Sequence, residues 1–372
     1  MIDRLLGGLG TRRFLEEYWQ KKPLLVRGAI PGFQGLLGRD GLLELACRDD
    51  VESRFVSRVG GRWGLEHGPF EMARFRKARK PWTVLVQGVN LVLPEGDGLM
   101  RAFDFIPWAR LDDLMVSYAT DGGGVGPHID NYDVFLIQGP GTRRWRVGHQ
   151  RDQSLVDGLP LRILKDFRPR HDWLVEPGDL LYLPPGWAHD GVAVGECMSY
   201  SVGFRTAPAQ ELADGFLTHL QDRLCLSGRY SDPDLKPAKR PAEIGVEMVD
   251  RVADMLAAIR WNRGTVKEFL GSALTEPKPH VFFDRPARPL SLERFAAAVA
   301  ARGLRLDLRT RMLYAGTRFY INGEATDAPA ADRTRLRGLA DRRRLPANEA
   351  WSEAGRALLH DWYLCGFLHP GS

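Results

Sequence analysis

Through the first two hundred residues, apolar positions come in runs of four to eight closed by Gly or Pro, the pattern of strands rather than of helices. Thr83–Gln87, Leu114–Tyr118, Val134–Gln138, Trp145–Val147, Trp173–Glu176, Leu180–Leu183 and Met198–Phe204 all read this way. Lys22–Gly28 reads as a further strand, entered through Pro23 and closed by Gly28. Only Thr11–Trp19 breaks the rhythm, as an amphipathic helix with Thr11 at its N-cap. Pro177-Gly178-Asp179 and Pro184-Pro185-Gly186 are tight turns that re-aim the chain on either side of one strand. So many short strands predict an antiparallel sandwich or barrel.

The period changes after Pro208. Residues 210–226 and 243–259 place apolar side chains at helical spacing, for instance Leu212, Phe216, Leu220 and Leu224, with a loop at 231–237 between them. A third helix is expected from Thr265 to Ala273, and a Pro-rich linker follows at 275–279. This block is too small to bury a large core alone, so it should pack on the barrel or on a second copy of itself. Beyond it, a helix at 291–301, a hairpin within 312–323 and helices at 331–340 and 349–364 predict helices around a two-stranded wing. The expected division is a catalytic domain over 1–206, a helical block over 207–276 and a winged helix over 277–372, giving a mixed α+β chain.

Composition narrows the setting. The four cysteines lie far apart and form no CxxC pair, which argues against zinc fingers and disulfide scaffolds and suits a reducing cytoplasm. No apolar run of about 18 residues is present, so no membrane span is expected, and the N-terminus lacks the features of a secretory signal. The net charge of +5 resides wholly in residues 281–372, which carry 15 Arg, no Lys and 10 acids. That stretch should be drawn weakly to RNA, the ribosome surface or another polyanion.

Two motifs carry the chemistry: Gly122-x5-His128-x-Asp130 and Gly178-x5-Pro184-x-Gly186-x2-His189. His128 and Asp130 stand two apart, so on a strand both leave the same face. With His189 they supply two imidazoles and a carboxylate, the facial ligand set of non-haem iron(II) oxygenases, which leaves coordination positions open for substrate and oxygen. A lone HxD is weak, since such triplets often cap turns; the second motif is what raises it. His149, His171 and His219 have no comparable partners. The run Gly122–Gly126 leads into a strand, not a helix, so it lacks the helix N-terminus a phosphate loop needs; it reads as a flexible loop admitting a substrate backbone to the metal. Arg143 alternates with Arg144 and Arg146, so Arg143 and Trp145 share one face. A cation inside a barrel is costly unless an anion meets it, and a dicarboxylate would do so. The bland alternative is an edge hairpin of solvated arginines.

The runs Tyr18–Leu25, Gly122–Gln138, Arg143–Gly148, Pro177–His189 and Ser199–Arg205 together resemble the JmjC ribosomal oxygenases of the cupin superfamily, and within them the bacterial branch that hydroxylates an arginine of large-subunit ribosomal protein L-sixteen. The resemblance implies a double-stranded β-helix barrel, a helical dimerisation block and a winged helix. It implies iron(II) on His128, Asp130 and His189, with 2-oxoglutarate and O2 as cosubstrates. The distal carboxylate of 2-oxoglutarate would meet Arg143 and Ser117, in a pocket lined by Met198. For the substrate arginine, Asp121 in the glycine-rich loop would grip the guanidinium and Tyr132 would stack or hydrogen-bond at the mouth; the competing roles are a turn Asp and a core Tyr. A homodimer acting on a ribosomal protein follows from the same resemblance. Two rivals stay open: the same chemistry on a histidine or a methyl-lysine, and a non-enzymatic protein binding nucleic acid through its basic winged helix. A metal cupin of the isomerase type would place a further His where Asp130 stands.

Overall fold

The computed structural model describes residues 5–371. The chain gathers into two compact units that do not follow its linear order. One takes the chain up to Thr206 with Pro277–Thr310 and everything from Thr334 on; the other joins Ala207–Glu276 to Arg311–Arg333. Among the described residues no helix is long and apolar enough to cross a membrane.

In the first unit the strands are β1 (Leu24–Val26), β2 (Ser53–Val59), β3 (Arg62–His67), β4 (Trp82–Val86), β5 (Leu111–Ala119), β6 (His128–Ile129), β7 (Asp133–Gln138), β8 (Thr142–Gly148), β9 (His171–Val175), β10 (Leu180–Leu183), β11 (Ala188–Val194) and β12 (Cys197–Phe204). They form an eight-stranded sheet, β1-β10-β7-β12-β5-β4-β2-β3, facing a four-stranded sheet, β6-β11-β8-β9. Every pairing is antiparallel. Strand β7 is buried along its whole length because its two faces meet two cores. Its Phe135 and Ile137 join the outer cluster with Phe14, Phe103, Tyr182 and Phe204. Its Val134 and Leu136 turn inward to Trp145, Val147, Leu181 and Leu183 and fill the space between the sheets.

Strands β2 and β3 escape a reading based on apolar runs, because Arg54, Arg58, Arg62 and Glu66 interrupt the pattern. Their connection, Gly60-Gly61 with φ of 57° and 80°, is the two-residue hairpin signal that would have found them. The same unit contains the helices Leu292–Arg302 and Glu353–Leu364 and a sheet formed by Leu304–Leu306, Arg344–Leu345 and Leu368–Pro370.

The second unit holds the helices Ala209–Gln221, Val246–Leu256 and Arg263–Thr275. The expected two-stranded wing is a three-stranded meander, Met312–Ala315, Arg318–Ile321 and Glu324–Asp327, with the last strand extending past the Gly323 turn. Helix Arg263–Thr275 lies on this meander. A Cβ at Gly271 would sit 2.4 Å from the Tyr320 ring, so only glycine allows that approach. Tyr320 and Arg318 both reach Glu268 on the same helix.

Within the first unit, Arg343 ties the C-terminal stretch to the barrel's helical cover. Its guanidinium donates to the carbonyls of Thr310, Asp307 and Leu308 and pairs with Asp97 at 3.1 Å. Truncation would take this donor from three carbonyls and leave buried Asp97 with Arg101 alone as its cation. Arg343→Ala is therefore expected to lower stability by about 3–5 kcal/mol, read as a lower urea midpoint; a loss under about 1 kcal/mol would show that water replaces the guanidinium without penalty.

Candidate metal centre

Strand β6 is only two residues long, yet it sets the centre. His128 pairs directly with His189 of β11, so the two imidazoles are cross-strand neighbours on one face, with ring centroids 4.2 Å apart. Asp130 follows two residues after His128, with Oδ1 3.8 Å from Nε2 of His128 and Oδ2 3.5 Å from Nε2 of His189. The Pro185-Gly186 turn is locked onto the first motif by the Gly186 amide, which donates to the Asp130 carbonyl at 2.9 Å. Gly186 has φ 79°, which explains a glycine there.

Each imidazole is aimed by its other nitrogen. Nδ1 of His128 meets the Gly126 carbonyl at 2.9 Å and Nδ1 of His189 meets that of Trp187 at 3.0 Å, leaving both Nε2 atoms toward Asp130. Burial opposes the charge on Asp130, but the hydrogen bond and charge of His189, then the charge of His128 and the Tyr132 hydroxyl, bring its pKa to about 2. Burial and the neighbouring His189 lower the pKa of His128. For His189, burial lowers but the hydrogen bond and charge of Asp130 prevail and raise it. One ligand atom from each of the three lies within 4.8 Å of the others, and among the described residues this is the one His/Cys/Asp/Glu group so arranged. An anionic carboxylate and two oriented imidazoles suit a divalent ion such as iron(II).

Strand β11 carries the face onward. Gly191 and Ala193 follow His189 at alternate positions and pair with Trp145 and Arg143 of β8. A Cβ at Gly191 would meet the Trp145 ring at 2.6 Å, so this glycine makes room for the indole between the metal ligands and Arg143. Arg143 is 5% exposed, donates from Nε to the Cys197 thiol at 3.4 Å, and its Nη2 has no partner among the described residues. A buried guanidinium with an unused N–H is the fit expected for an incoming carboxylate. Ser117 is buried on the same side: it pairs with Ser199, one alternation from Ala119, which packs with Ala193 and Cys197.

Other expected residues lie elsewhere. Met198 leaves β12 on the face opposite Cys197 and packs in the outer cluster with Tyr118 and Tyr200, so it does not line the Arg143 pocket. Asp121 accepts from the Gly195 amide at 2.8 Å, capping the turn beyond the far end of β11. Six residues of strand separate that point from His189, about 20 Å, which is too far to hold a side chain placed at the metal. Tyr132 does sit beside Asp130, and 41% of its surface is exposed. Burial of its hydroxyl and the charge of Asp130 raise its pKa. The glycine loop serves packing rather than substrate entry: Cβ atoms at Gly123 and Gly124 would press to 2.6 and 2.5 Å from the carbonyl oxygens of Trp82 and Gly191.

At the end of β5 away from Arg143, a polar group went unforeseen. Asp113 shares the inward parity of Met115 and Ser117 and is 7% exposed. Its Oδ2 accepts from Gln87 Nε2 and the Gly88 amide, both at 3.2 Å, and lies 3.5 Å from Lys278 Nζ. Gln87 also accepts from Arg54 at 2.8 Å. The signal was available in Leu111-Asp-Asp-Leu-Met-Val-Ser, where alternation back from Ser117 selects Asp113.

Residues 98–212 match the model of the JmjC domain, and residues 258–369 that of the ROXA-like winged helix. The chain is 36% identical over 318 residues to ribosomal protein uL16 3-hydroxylase of Escherichia coli, covering 85% of both chains. This chain belongs to the JmjC ribosomal oxygenases. The crystal structure of E. coli YcfD superposes with a TM-score of 0.86 at 34% identity, covering 97% of this chain and 98% of that one. Another YcfD structure, holding cobalt and 2-oxoglutarate, matches at 0.82 and 34% identity, covering 96% and 97%. The chain is accordingly a 2-oxoglutarate-dependent dioxygenase, and its His-Asp-His group is consistent with iron(II) as the metal.

Replacing His128, Asp130 or His189 with Ala is expected to weaken cobalt(II) binding by more than about tenfold, since losing even an outer partner of a metal ligand costs that much. Anaerobic titration followed by the visible absorption of cobalt checks this; an unchanged affinity would remove that residue from the ligand set.

Proposed function

We propose that this oxygenase hydroxylates an arginine side chain of ribosomal protein uL16, with iron(II) on His128, Asp130 and His189. The observation that carries the arginine reading is the Asp113 carboxylate, buried inside the barrel on the strand that also bears Ser117. The metal, 2-oxoglutarate and oxygen supply the oxidising power to turn an unactivated C–H into C–OH. The residues supply everything else. Arg143 takes the distal carboxylate of 2-oxoglutarate through Nη2, with Ser117 beside it. Trp145 walls the space between Arg143 and the ligands and keeps water out. At the opposite end, Asp113 receives the guanidinium in the role first expected of Asp121, and Tyr132 borders the mouth. The name of E. coli uL16 3-hydroxylase supports uL16 as the protein substrate.

Asp113 retains one open acceptor. Among the described residues no hydrogen-bond donor reaches Oδ1, and it faces Gly203, where a Cβ would stand 3.8 Å away with nothing nearer. A planar, forked guanidinium suits such an edge better than an ammonium or an imidazole. This is what favours arginine over methyl-lysine or histidine.

We also propose a homodimer. Leu217, Val246, Val249, Leu256 and Trp261 of the second unit are more than half exposed, as are Leu235 and Ile244 at 76% and 74%. So much apolar surface on one small block is more than a lone monomer usually leaves open. The arginine surplus beyond residue 280 supports only a weak contact with the ribosome or its RNA, because Arg309, Arg318, Arg335 and Arg343 are held in ion pairs. Action on a ribosomal protein supports a cytoplasmic enzyme.

Mass spectrometry of uL16 incubated with the enzyme, iron(II), 2-oxoglutarate and oxygen should show one added oxygen on an arginine, absent with His128→Ala. 2-Oxoglutarate consumption without added oxygen would redirect the search to another substrate. Arg143→Met should weaken 2-oxoglutarate binding by about 2–5 kcal/mol, roughly thirtyfold or more, while cobalt still binds; equal affinity would exclude Arg143 from that role. By light scattering the protein should run as a dimer, and Leu217→Glu with Val246→Glu should yield a monomer that still binds cobalt; a wild-type monomer at tens of micromolar would refute the dimer.

A further inference from the structure

The contact between Asp113 and Lys278 lies outside the roles assigned so far. Lys278 stands between Pro277 and Pro279, and two prolines restrict the backbone that presents its ammonium. The ammonium is two-thirds buried, 3.5 Å from Asp113 Oδ2 and 4.0 Å from Asp112 Oδ1. Asp112 has its own guanidinium, Arg205 at 3.2 Å, so Asp113 is the carboxylate that depends on the lysine. With Gln87 and the Gly88 amide, Lys278 brings three donors onto Oδ2 and none onto Oδ1. An Asp with both oxygens free could rotate; here the donor set fixes which edge remains.

We propose that Lys278 is a positioning residue of the substrate subsite: by completing the donor set on Oδ2 it leaves Oδ1, beside the side-chain-free Gly203, as the single acceptor offered to the incoming cation. This rests on Asp113 being the guanidinium site. The electrostatics agree with it. Burial pushes the Asp113 carboxyl up, and the Lys278 charge is the largest opposing influence. The other charged and titratable groups around Asp113 are Asp112 on its own strand, Arg54 through Gln87 from β2, and Tyr132 from the turn before β7; Glu52 acts on Lys278. Of these only Lys278 is both cationic and in direct contact. Without it Asp113 would hold its proton to higher pH.

Removing the ammonium raises the Asp113 pKa further, so substrate binding should be weakest at low pH and return as the pH rises. The experiment measures the affinity of uL16 for the full-length enzyme loaded with cobalt(II) and 2-oxoglutarate, from pH 6 to 9. Lys278→Met should bind more weakly than wild type at the acid end of that range, its affinity profile shifted to higher pH, with the gap closing toward pH 9. Lys278→Arg should retain binding throughout, and Asp113→Asn should bind weakly at every pH. Should the Met variant unfold, Lys278→Gln gives the same comparison. A Lys278 variant that follows wild type at every pH, or falls by one constant factor at every pH, overturns the proposal and leaves the lysine a structural tie. If Asp113→Asn binds like wild type, the Asp113 assignment itself fails, and the role of Lys278 with it. If only Asp113→Asn is weak, Asp113 stands and Lys278 does not.

Discussion

Everything in the catalytic unit depends on a two-residue pairing. Strand β6 contributes only His128 and Ile129, held against His189 and Ala188. So short a strand has little stability of its own and must be fixed from outside. The Gly186 amide on the Asp130 carbonyl and the backbone carbonyls of Gly126 and Trp187 on the two Nδ1 atoms supply that anchorage. Because the pair is antiparallel and in register, both imidazoles share a face, and every second residue of β11 beyond His189 inherits that face. Arg143 is thereby set by the same register as the ligands: a slip of one residue between β11 and β8 would turn its guanidinium out into solvent.

The glycines around this pairing have physical assignments, and they differ. Gly186 takes a left-handed turn that side chains resist; Gly191 yields volume to Trp145; Gly123 and Gly124 let backbones meet closer than any Cβ allows. The loop at 122–126 therefore owes its composition to packing, and its proximity to the first metal ligand in sequence carries no implication of mobility.

How much of this could be read from the chain alone turns on the range of the rule used. Rules spanning two or three residues succeeded: the His128–Asp130 spacing, the Pro and Gly turns, and the shared inward face of Arg143 and Trp145. Met198 shows the limit of such rules when parity is not applied, since one residue along β12 separates the Cys197 face from the outer core. Asp121 shows another limit. Seven residues from His128 in sequence, it caps a turn at the opposite end of β11, because the intervening glycines run alongside that strand. Asp113 was readable by alternation but hidden by its neighbour: two adjacent aspartates look like a solvated strand start until Lys278, 165 residues later, is seen to hold one of them. Distant partners of that kind are not visible in local pattern.

The interior is polarised along the barrel axis, and the separation is itself functional. Arg143 lies at the level of Ala193 and Cys197; Asp113 lies six residues along β5 from Ala119, about 20 Å of strand away. Buried together, a guanidinium and a carboxylate would pair with each other and be closed to any ligand. Held apart, with apolar Val134, Leu136 and Val147 filling the inner face, Arg143 keeps a buried Nη2 without a partner and Asp113 an Oδ1 turned toward Gly203. Leaving a guanidinium N–H buried without a partner costs stability. That cost is offset when a carboxylate meets the Arg143 end, while the Asp113 end stays open to a cation, and a dicarboxylate with an arginine side chain is the pair of ligands that the proposed hydroxylation would bring.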